Sequence, residues 1–446
     1  MLSKEQSDNL VVLVTGASGY IASHIVKQLQ DQGYQVRGTV RSLGDEEQVK
    51  RLNELSPEAQ FKLELVEADL TKPESWEPAV KDVRYVIHVV SPLTAQAPKD
   101  DSEVVQPTVE GTQAVLKACV SAKSVKRVVL TSSCVAVGWG PGADLTKTFT
   151  EEDWTDPEKL DAQAKSKTLA EKAAWDYVKE LPDEDKIELA VVNPAYVMGP
   201  VINGSQCKSL EVVKRLLERE KPFVARLNFP VADVRDVAEA NIKAMTMDEA
   251  AGKRHLICSS NMWMKDMAQI LAKEFKSQGY NIPTSNCPNV LLKFIGIFDK
   301  TVKVVQPNLD KVYKFDTSRM KDVLQLTPKE VKETLIDMAY SLIESGLVKK
   351  SKKYKGPNAG GEGEGEQEGE KKEEEKEEEK AKENGEVTEG KKEEDGDVKK
   401  EEEKEEKTET EESKEEKKEE TKEETKEEVS EEKTEEKKEE EKKEEK

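Results

Sequence analysis

Short apolar runs alternate with segments of helical periodicity along most of the chain. The runs are rich in Val, Ile and Leu and occupy residues 10–14, 35–40, 63–66, 85–90, 127–130 and 189–192. Helical patterns such as 21–32 and 104–122 separate them. Continuous apolar runs are typical of parallel strands that are buried on both faces, and right-handed crossovers join such strands through helices. The pattern therefore predicts an α/β fold with a doubly wound parallel sheet.

A glycine-containing turn follows the first apolar run directly. The segment TGASGYIA (15–22) stands where a strand would end and a helix begin. There Gly16 permits a tight turn, Gly19 lets the backbone approach a phosphate, and the small Ala22 lets the helix pack closely on its strand. This context favours a Rossmann-type site for a dinucleotide pyrophosphate over a simple tight turn. The expected cofactor-binding residues of this turn are Gly16, Ser18, Gly19, Tyr20 and Ile21.

Residues just after the other runs are the next candidates, because ligands of such sheets bind beyond the carboxyl ends of the strands. These residues are Arg41, Asp69, Ser91, Ser133 and Pro194. Asp69 has two interpretations: its carboxylate accepts a hydrogen bond from the adenine amino group, or it caps the following turn.

Arg41 bears on the choice of nicotinamide cofactor. It lies 22 residues after Gly19, where an acidic residue would bind the ribose of NAD. An arginine there favours the 2′-phosphate of NADP, to which it can form charge-assisted hydrogen bonds. Arg37 is a less favoured ligand because it lies within the predicted strand. A solvated Arg41 without a ligand is the third interpretation.

The composition changes sharply at Gly356. From there to Lys446 the chain has 43 acidic and 22 basic residues, which accounts for nearly all of its formal net charge of −22. Blocks of Glu and Lys cannot form a core that offsets chain entropy. We predict that residues 351–446 form a disordered, solvated tail; weak binding of Ca²⁺ or of basic partners and phosphorylation are alternatives. The remaining body is nearly neutral, which argues against nucleic-acid binding.

The N-terminus and the cysteines bear on the cellular compartment. The first nine residues are polar, and no apolar stretch reaches the length that a bilayer requires. Five cysteines are scattered without CxxC spacing, which indicates reduced thiols, and three histidines lack the spacing of metal ligands. We therefore expect a cytoplasmic protein without a membrane segment or a metal site.

Taken together, these segments resemble the extended short-chain dehydrogenase/reductases, specifically the dihydroflavonol reductase, cinnamoyl-CoA reductase and ketone/aldehyde reductase-like group. The resemblance also includes TSS (131–133), SKTLAE (166–171), NP (193–194), GP (199–200) and DVRDVA (233–238). It implies an NADP-binding domain over residues 1–195 and a smaller lobe over 196–350 that binds a small-molecule carbonyl substrate. The further cofactor contacts that it implies are Asp69, Leu70, Val90, Ser91, Lys167, Pro194 and Val197.

The chemistry of that group uses three side chains. A serine orients the substrate carbonyl, a tyrosine donates the proton, and a lysine follows the tyrosine by four residues. Ser133 and Lys167 match the first and last roles, and residues four apart share one face of a helix. The tyrosine position holds Gln163 instead, and residues 160–167 contain no tyrosine. A primary amide can hydrogen-bond a carbonyl but has no proton to deliver near neutral pH.

Two functions follow from this substitution. The first is NADP-dependent reduction of an aldehyde or ketone to an alcohol with altered proton delivery. Tyr177 lies ~15 Å along the helix from Lys167, too far to replace the phenol, and Tyr196 is a less favoured donor. The second function is that of a pseudoenzyme, which keeps NADP and acts as an interaction or scaffold protein through its charged tail. No charge pattern in residues 201–228 selects among aldehydes, ketones, flavonoid ketones and thioesters.

Overall fold

The structure, a computed structural model, describes residues 10–91, 100–202, 204–205, 207–298, 302 and 306–357. The chain divides into two units, Met1–Gly360 and Gly361–Lys446. The predicted acidic tail lies outside the described residues from position 358 onward. Its disorder, its partners and its phosphorylation therefore stay predictions, as does the boundary between the two lobes at 195/196.

Twelve strands are present in the described part of the chain. They are β1 (Val11–Val14), β2 (Gln35–Val40), β3 (Glu64–Glu67), β4 (Tyr85–His88), β5 (Arg127–Thr131), β6 (Thr148–Phe149), β7 (Glu188–Pro194), β8 (Tyr196–Met198), β9 (Asn228–Asp233), β10 (Arg254–Ile257), β11 (Ser260–Trp263) and β12 (Lys314–Phe315). Seven form one parallel sheet in the order β10-β7-β5-β4-β1-β2-β3. The strand order reverses beside β1, as in a doubly wound sheet, and the predicted fold class is confirmed.

Helices cover both faces of this sheet. Those among the described residues are α1 (Tyr20–Asp31), α2 (Glu46–Asn53), α3 (Trp76–Val80), α4 (Ser102–Ala122), α5 (Ala162–Glu180), α6 (Glu211–Leu217), α7 (Val234–Thr246), α8 (Met264–Phe275), α9 (Asn289–Phe298), α10 (Ser318–Asp322) and α11 (Val331–Glu344). The pair α1 and α7 packs on one face, and α3, α4 and α5 pack on the other. None of the described helices is both long enough and apolar enough to cross a membrane.

Successive residues of the sheet strands point to opposite faces. In β1, Val12 and Val14 belong to the core beneath α1 and α7, whereas Leu13 belongs to the core beneath α4. In β5, Val129 lies in the first core and Val128 in the second. Burying such a side chain contributes about 1.5–3 kcal/mol relative to leaving it exposed. Because both faces are covered, the apolar runs are continuous in sequence.

The predicted strand over residues 85–90 is shorter in the structure. β4 ends at His88, because the backbone amides of Val89 and Val90 donate to the Thr15 hydroxyl at 3.0 and 3.2 Å rather than to a neighbouring strand. The predicted strand over 35–40 coincides with β2, and the predicted helix over 104–122 begins two residues earlier, at Ser102.

A buried charge cluster joins the end of β9 to α11. Asp233 is fully buried and accepts hydrogen bonds from the Arg235 guanidinium and from the Thr334 hydroxyl, both at 2.7 Å. Burial favours the neutral acid, but these hydrogen bonds prevail and lower the pKa of Asp233. Arg235 also donates to Asp337 at 2.6 Å. The DVRDVA segment therefore fixes the second sheet, formed by β8, β9 and β11, against the C-terminal helix.

Candidate active site

The turn after β1 has the geometry of a phosphate cradle. Gly16 has a φ of +65°, and a Cβ on it would come within 2.9 Å of Val90. The Gly16 amide donates to the Thr39 hydroxyl at 2.9 Å, and the Gly19 amide donates to the Gly16 carbonyl at 2.8 Å. No side chain caps the N-terminus of α1. Such a helix start suits a pyrophosphate. Ser18 and Ile21, which also belong to the predicted cofactor set, are half-buried.

Four other residues of the predicted cofactor set are used in packing. The Tyr20 hydroxyl donates to the Gly199 carbonyl at 2.7 Å. Leu70 is buried against α4. Pro194 ends β7 and Val197 lies within β8, and both are buried. These four residues therefore offer shape and backbone groups to a cofactor rather than polar side chains.

The arginines at β2 differ in what they contact. Arg41 is exposed directly after the strand. Arg37 donates to the carbonyls of Ala79 and Lys81 at 3.0 and 2.7 Å and pairs with Glu64 at 2.9 Å. Arg37 thus ties the strand to the end of α3, and the binding of a ligand phosphate by the exposed Arg41 stays a prediction.

Asp69 caps the turn that follows β3. Its Oδ1 accepts hydrogen bonds from the Thr71 amide at 2.8 Å and from the Thr71 hydroxyl at 2.7 Å. These hydrogen bonds lower the pKa of Asp69, and the Arg41 charge adds to the effect. Of the two interpretations of Asp69, the structure thus shows the capping of the following turn. A hydrogen bond from adenine to Asp69 stays a prediction.

The end of β4 is held against β1 by a buried histidine. His88 Nδ1 lies 3.0 Å from the Thr15 hydroxyl, which also accepts the Val89 and Val90 amides. Burial lowers the pKa of His88 to about 3, and the Lys167 charge acts in the same direction. The imidazole is therefore neutral at pH 7 and serves to place Val90 over the glycine turn.

Two of the three predicted catalytic side chains, Lys167 and Ser133, lie near the end of β5. Lys167 Nζ, on α5, donates to the Thr131 carbonyl at the end of β5, at 3.0 Å. The Ser133 hydroxyl accepts from the Val135 amide at 3.3 Å in the next turn. Burial lowers the pKa of Lys167 to about 8, while the Glu171 carboxylate, one helical turn further on, works in the opposite direction.

A small cavity of about 10 Å³ at this edge is lined by the segment after β4, the end of β5 and the helices α4 and α5. Its lining includes Val90, Ser91, Thr108, Thr131, Ser132, Lys167 and Glu171. Val90, Ser91 and Lys167 are all members of the predicted cofactor set. Over the described ranges, His, Cys, Asp and Glu side chains form no group of three or more that could hold a metal ion. The five cysteines are all unpaired.

A buried network behind Lys167 was not predicted from the sequence. Glu171 pairs with Arg254 of β10 at 2.6 Å and accepts a hydrogen bond from the side-chain Nδ2 of Asn193 at 2.7 Å. Asn193 also donates to the Ser133 carbonyl at 3.2 Å. The network links α5, β7 and β10 to the backbone of the predicted serine. One signal was available: Glu171 follows Lys167 by four residues and so lies on the same helix face.

Gln163 contacts a lysine that the sequence analysis did not single out. Asp161 caps α5 by accepting from the amides of Gln163 and Ala164, each at 3.0 Å. The half-buried Gln163 side chain accepts a hydrogen bond at Oε1 from Lys208 Nζ, at 3.3 Å. Lys208 begins the short 3₁₀ turn Lys208–Leu210 after β8. An ammonium thus adjoins the amide that replaces the expected phenol.

The two tyrosines considered as substitute donors are placed unfavourably. The Tyr196 hydroxyl donates to the carbonyls of Lys208 and Ser209, both at 3.4 Å, and its ring packs against Phe229. Burial raises the pKa of Tyr196, which weakens it as an acid. Tyr177 packs against the core on the α4 side of the sheet.

The chain matches a known family over most of the large sheet. The sequence profile of the NAD-dependent epimerase/dehydratase family matches residues 12–258. The chain belongs to this family. It is 36% identical to cinnamoyl-CoA reductase 1 of Petunia hybrida over 75% of this chain and 93% of that protein. It is 31% identical to the NADPH-dependent methylglyoxal reductase of Saccharomyces cerevisiae, over 75% of this chain and 98% of that protein.

A solved structure gives the same assignment. The crystal structure of yeast methylglyoxal/isovaleraldehyde reductase complexed with NADPH matches this fold with a TM-score of 0.63 at 31% identity, over 76% of this chain and 100% of that one. The predicted membership of the extended short-chain dehydrogenase/reductases, in the dihydroflavonol and cinnamoyl-CoA reductase-like group, is confirmed.

Proposed function

We propose that this protein is an NADPH-dependent oxidoreductase that reduces the carbonyl of a small aldehyde or ketone to an alcohol. The observation that carries the proposal is the position of Lys167, whose ammonium donates to the Thr131 carbonyl at 3.0 Å, at the end of β5. Lys167 also lines the small cavity together with Val90 and Ser91. The glycine turn after β1 lies at the same edge of the parallel sheet, because β1 and β5 both flank β4. The similarity to cinnamoyl-CoA and methylglyoxal reductases supports this reaction.

NADPH is the cofactor, and when bound it supplies the hydride. The residues of the chain bind and orient it. The start of α1, where the N-cap Gly19 makes no side-chain cap, holds the pyrophosphate, because the first backbone amides of a helix favour an anion. The exposed Arg41 binds the 2′-phosphate. Lys167 holds the nicotinamide ribose, as the family resemblance implies.

The substrate carbonyl meets a site without the usual acid. Ser133 orients the carbonyl oxygen, and Gln163 offers its amide as a hydrogen-bond donor from the first turn of α5. Loss of a positioned general acid costs about 10²–10⁴ in rate. The remaining orientation and hydride chemistry still favour reduction over the uncatalysed reaction.

A pseudoenzyme is the second candidate function, and Gln163 is the observation that favours it. In that case the chain binds NADPH as a structural or sensing ligand and acts through its charged C-terminal segment. Cofactor binding is common to both functions, so turnover of a carbonyl substrate distinguishes them.

The test uses the full-length purified protein. NADPH affinity is measured by calorimetry, and NADPH oxidation is followed with methylglyoxal, an aromatic aldehyde, a small ketone and an aromatic thioester. We expect tight NADPH binding and formation of one alcohol per NADPH consumed with the aldehyde or ketone. Binding without oxidation of NADPH by any carbonyl supports the pseudoenzyme, and absence of NADPH binding contradicts both functions.

A further inference from the structure

We propose that Lys208 is the proton donor in this enzyme, in place of the tyrosine that Gln163 replaces. The inference rests on the proposed carbonyl reduction and adds a residue to it. Its observation is the hydrogen bond of 3.3 Å from Lys208 Nζ to Gln163 Oε1. The contact joins two segments that are 45 residues apart in sequence.

Hydrogen bonds fix the backbone at both partners of this contact. Gln163 stands in the first turn of α5, which Asp161 fixes through two hydrogen bonds of 3.0 Å. Lys208 opens a 3₁₀ turn whose carbonyls at Lys208 and Ser209 accept from the Tyr196 hydroxyl. The ammonium is thus brought to the tyrosine position by the segment that follows β8, and the amide oxygen of Gln163 holds it there.

The chemistry suits the replacement. In water a lysine ammonium and a tyrosine phenol are acids of similar strength, with ordinary pKa values of about 10.4 and about 10. A carboxamide is not an acid in this range, but it is a good acceptor for N–H groups. The cation also stabilises the negative charge that develops on the carbonyl oxygen. Lys208 is exposed, so its amine can regain a proton from water after each turnover.

Other proton-bearing side chains of α5 and β8 have other partners or roles. Lys167 Nζ donates to the Thr131 carbonyl and is the group proposed above to hold the nicotinamide ribose. The neighbouring Lys165 pairs with Glu158 at 3.1 Å. The Tyr196 hydroxyl is engaged with backbone carbonyls. Lys208 is the cation that the described structure places on the Gln163 side chain.

Reduction of the carbonyl requires one hydride and one proton. The carbonyl carbon gains a hydride and the two electrons of the π bond move to oxygen, so that the carbonyl is reduced while NADPH is oxidised to NADP⁺. An N–H bond of the Lys208 ammonium breaks as the O–H bond of the alcohol forms. Lys208 is left as a neutral amine, which water reprotonates.

The experiment compares single-turnover reduction of an accepted aldehyde by the wild type, Lys208→Met, Lys208→Arg and the control Lys165→Met, each loaded with NADPH and with the enzyme in excess over NADPH. We expect Lys208→Met to lose about 10²–10⁴ in rate with an unchanged NADPH Kd. Lys208→Arg should lose nearly as much, because a guanidinium keeps the charge but does not release its proton. Lys165→Met should match the wild type. The Gln163→Tyr/Lys208→Met double variant should recover activity, which shows that the site is intact.

Three results would overturn the proposal, and they are distinguishable. If Lys208→Met reduces the aldehyde as fast as an active wild type, Lys208 is not the donor and the carbonyl reductase function stands. If Lys208→Arg keeps the full rate, Lys208 acts as a charge and not as an acid. If the wild type binds NADPH but reduces no carbonyl, the proposed function fails and the assignment of Lys208 fails with it.

Discussion

Gln163, at the start of α5, is an amide where the family resemblance implies a tyrosine, and the other two side chains that the resemblance implies, Ser133 and Lys167, are both present. Lys167 remains four residues later with its ammonium at the end of β5, and Ser133 remains in the turn after that strand. Lys208 adds a cation on the Gln163 side chain. In the proposed reaction the substitution therefore alters where a proton can come from, while Ser133 and Lys167 still stand at the end of β5.

Arg41 sets the cofactor preference at the residue scale. Wild-type protein should bind NADPH more tightly than NADH, because the guanidinium can pair with the 2′-phosphate. Arg41→Asp should reverse the order, since a carboxylate repels that phosphate and accepts from the ribose hydroxyl of NADH. Calorimetric titration of both proteins with both cofactors checks this. Equal or tighter NADH binding by the wild type would show that Arg41 does not bind the phosphate.

Lys167 should make the free energy of unfolding depend on pH in the alkaline range. Burial lowers its pKa to about 8, against an ordinary value of about 10.4. Below about pH 8 the ammonium is charged in both folded and unfolded chains, and its burial costs free energy in the folded state. Between these two values the folded state loses the proton first, and the cost decreases. The wild type should therefore gain stability relative to Lys167→Met as the pH rises through this window.

Urea unfolding of the two cofactor-free proteins at several pH values measures this difference. Because both proteins share all other titrating groups, their difference isolates Lys167. If the difference in unfolding free energy is constant from neutral pH to about pH 10, burial does not lower the pKa of Lys167 and the prediction is wrong.

At the scale of the element, the glycine turn after β1 offers a matched pair of substitutions. Gly16 and Gly252 both have positive φ, +65° and +70°, but a Cβ would clash with Val90 only at Gly16 and would meet nothing within 4 Å at Gly252. Both alanine variants should lose roughly 1 kcal/mol of stability or more from the backbone conformation. Only Gly16→Ala should also weaken NADPH binding, by more than tenfold. Equal NADPH affinity in the two variants would place the pyrophosphate elsewhere.

Elements and their order could be predicted from the sequence because the two-sided sheet requires continuous apolar runs. The run at 35–40 became β2 without change, and TGASGYIA has the turn geometry that its glycines require. The end of β4 was missed because it depends on the Thr15 hydroxyl, a tertiary contact with no local signal. The Lys208 contact with Gln163 and the Arg254 pair with Glu171 were missed for the same reason, since each joins segments far apart in sequence.

At the scale of the whole molecule, the acidic tail should be dispensable for cofactor binding. Residues 356–446 carry most of the net charge but no core-forming composition, and the glycine turn and Arg41 lie in the body. A chain that ends at Lys355 should fold and bind NADPH with an affinity within tenfold of the full chain, a difference of less than about 1.4 kcal/mol. A larger change would mean that the tail interacts with the cofactor site, contrary to its predicted role as a solvated segment.

A single-turnover assay decides whether the body is a carbonyl reductase. Wild-type protein and Gln163→Tyr are each loaded with NADPH and mixed with excess aldehyde, and NADPH absorbance and alcohol are recorded together. A tyrosine at this position lies one helical turn from Lys167, whose ammonium favours the phenolate and so lowers the phenol pKa. We predict stoichiometric alcohol from the wild type and a rate at least as fast from Gln163→Tyr. If both proteins bind NADPH and neither oxidises it with any carbonyl, the protein is not a reductase and the interaction function is the one that remains.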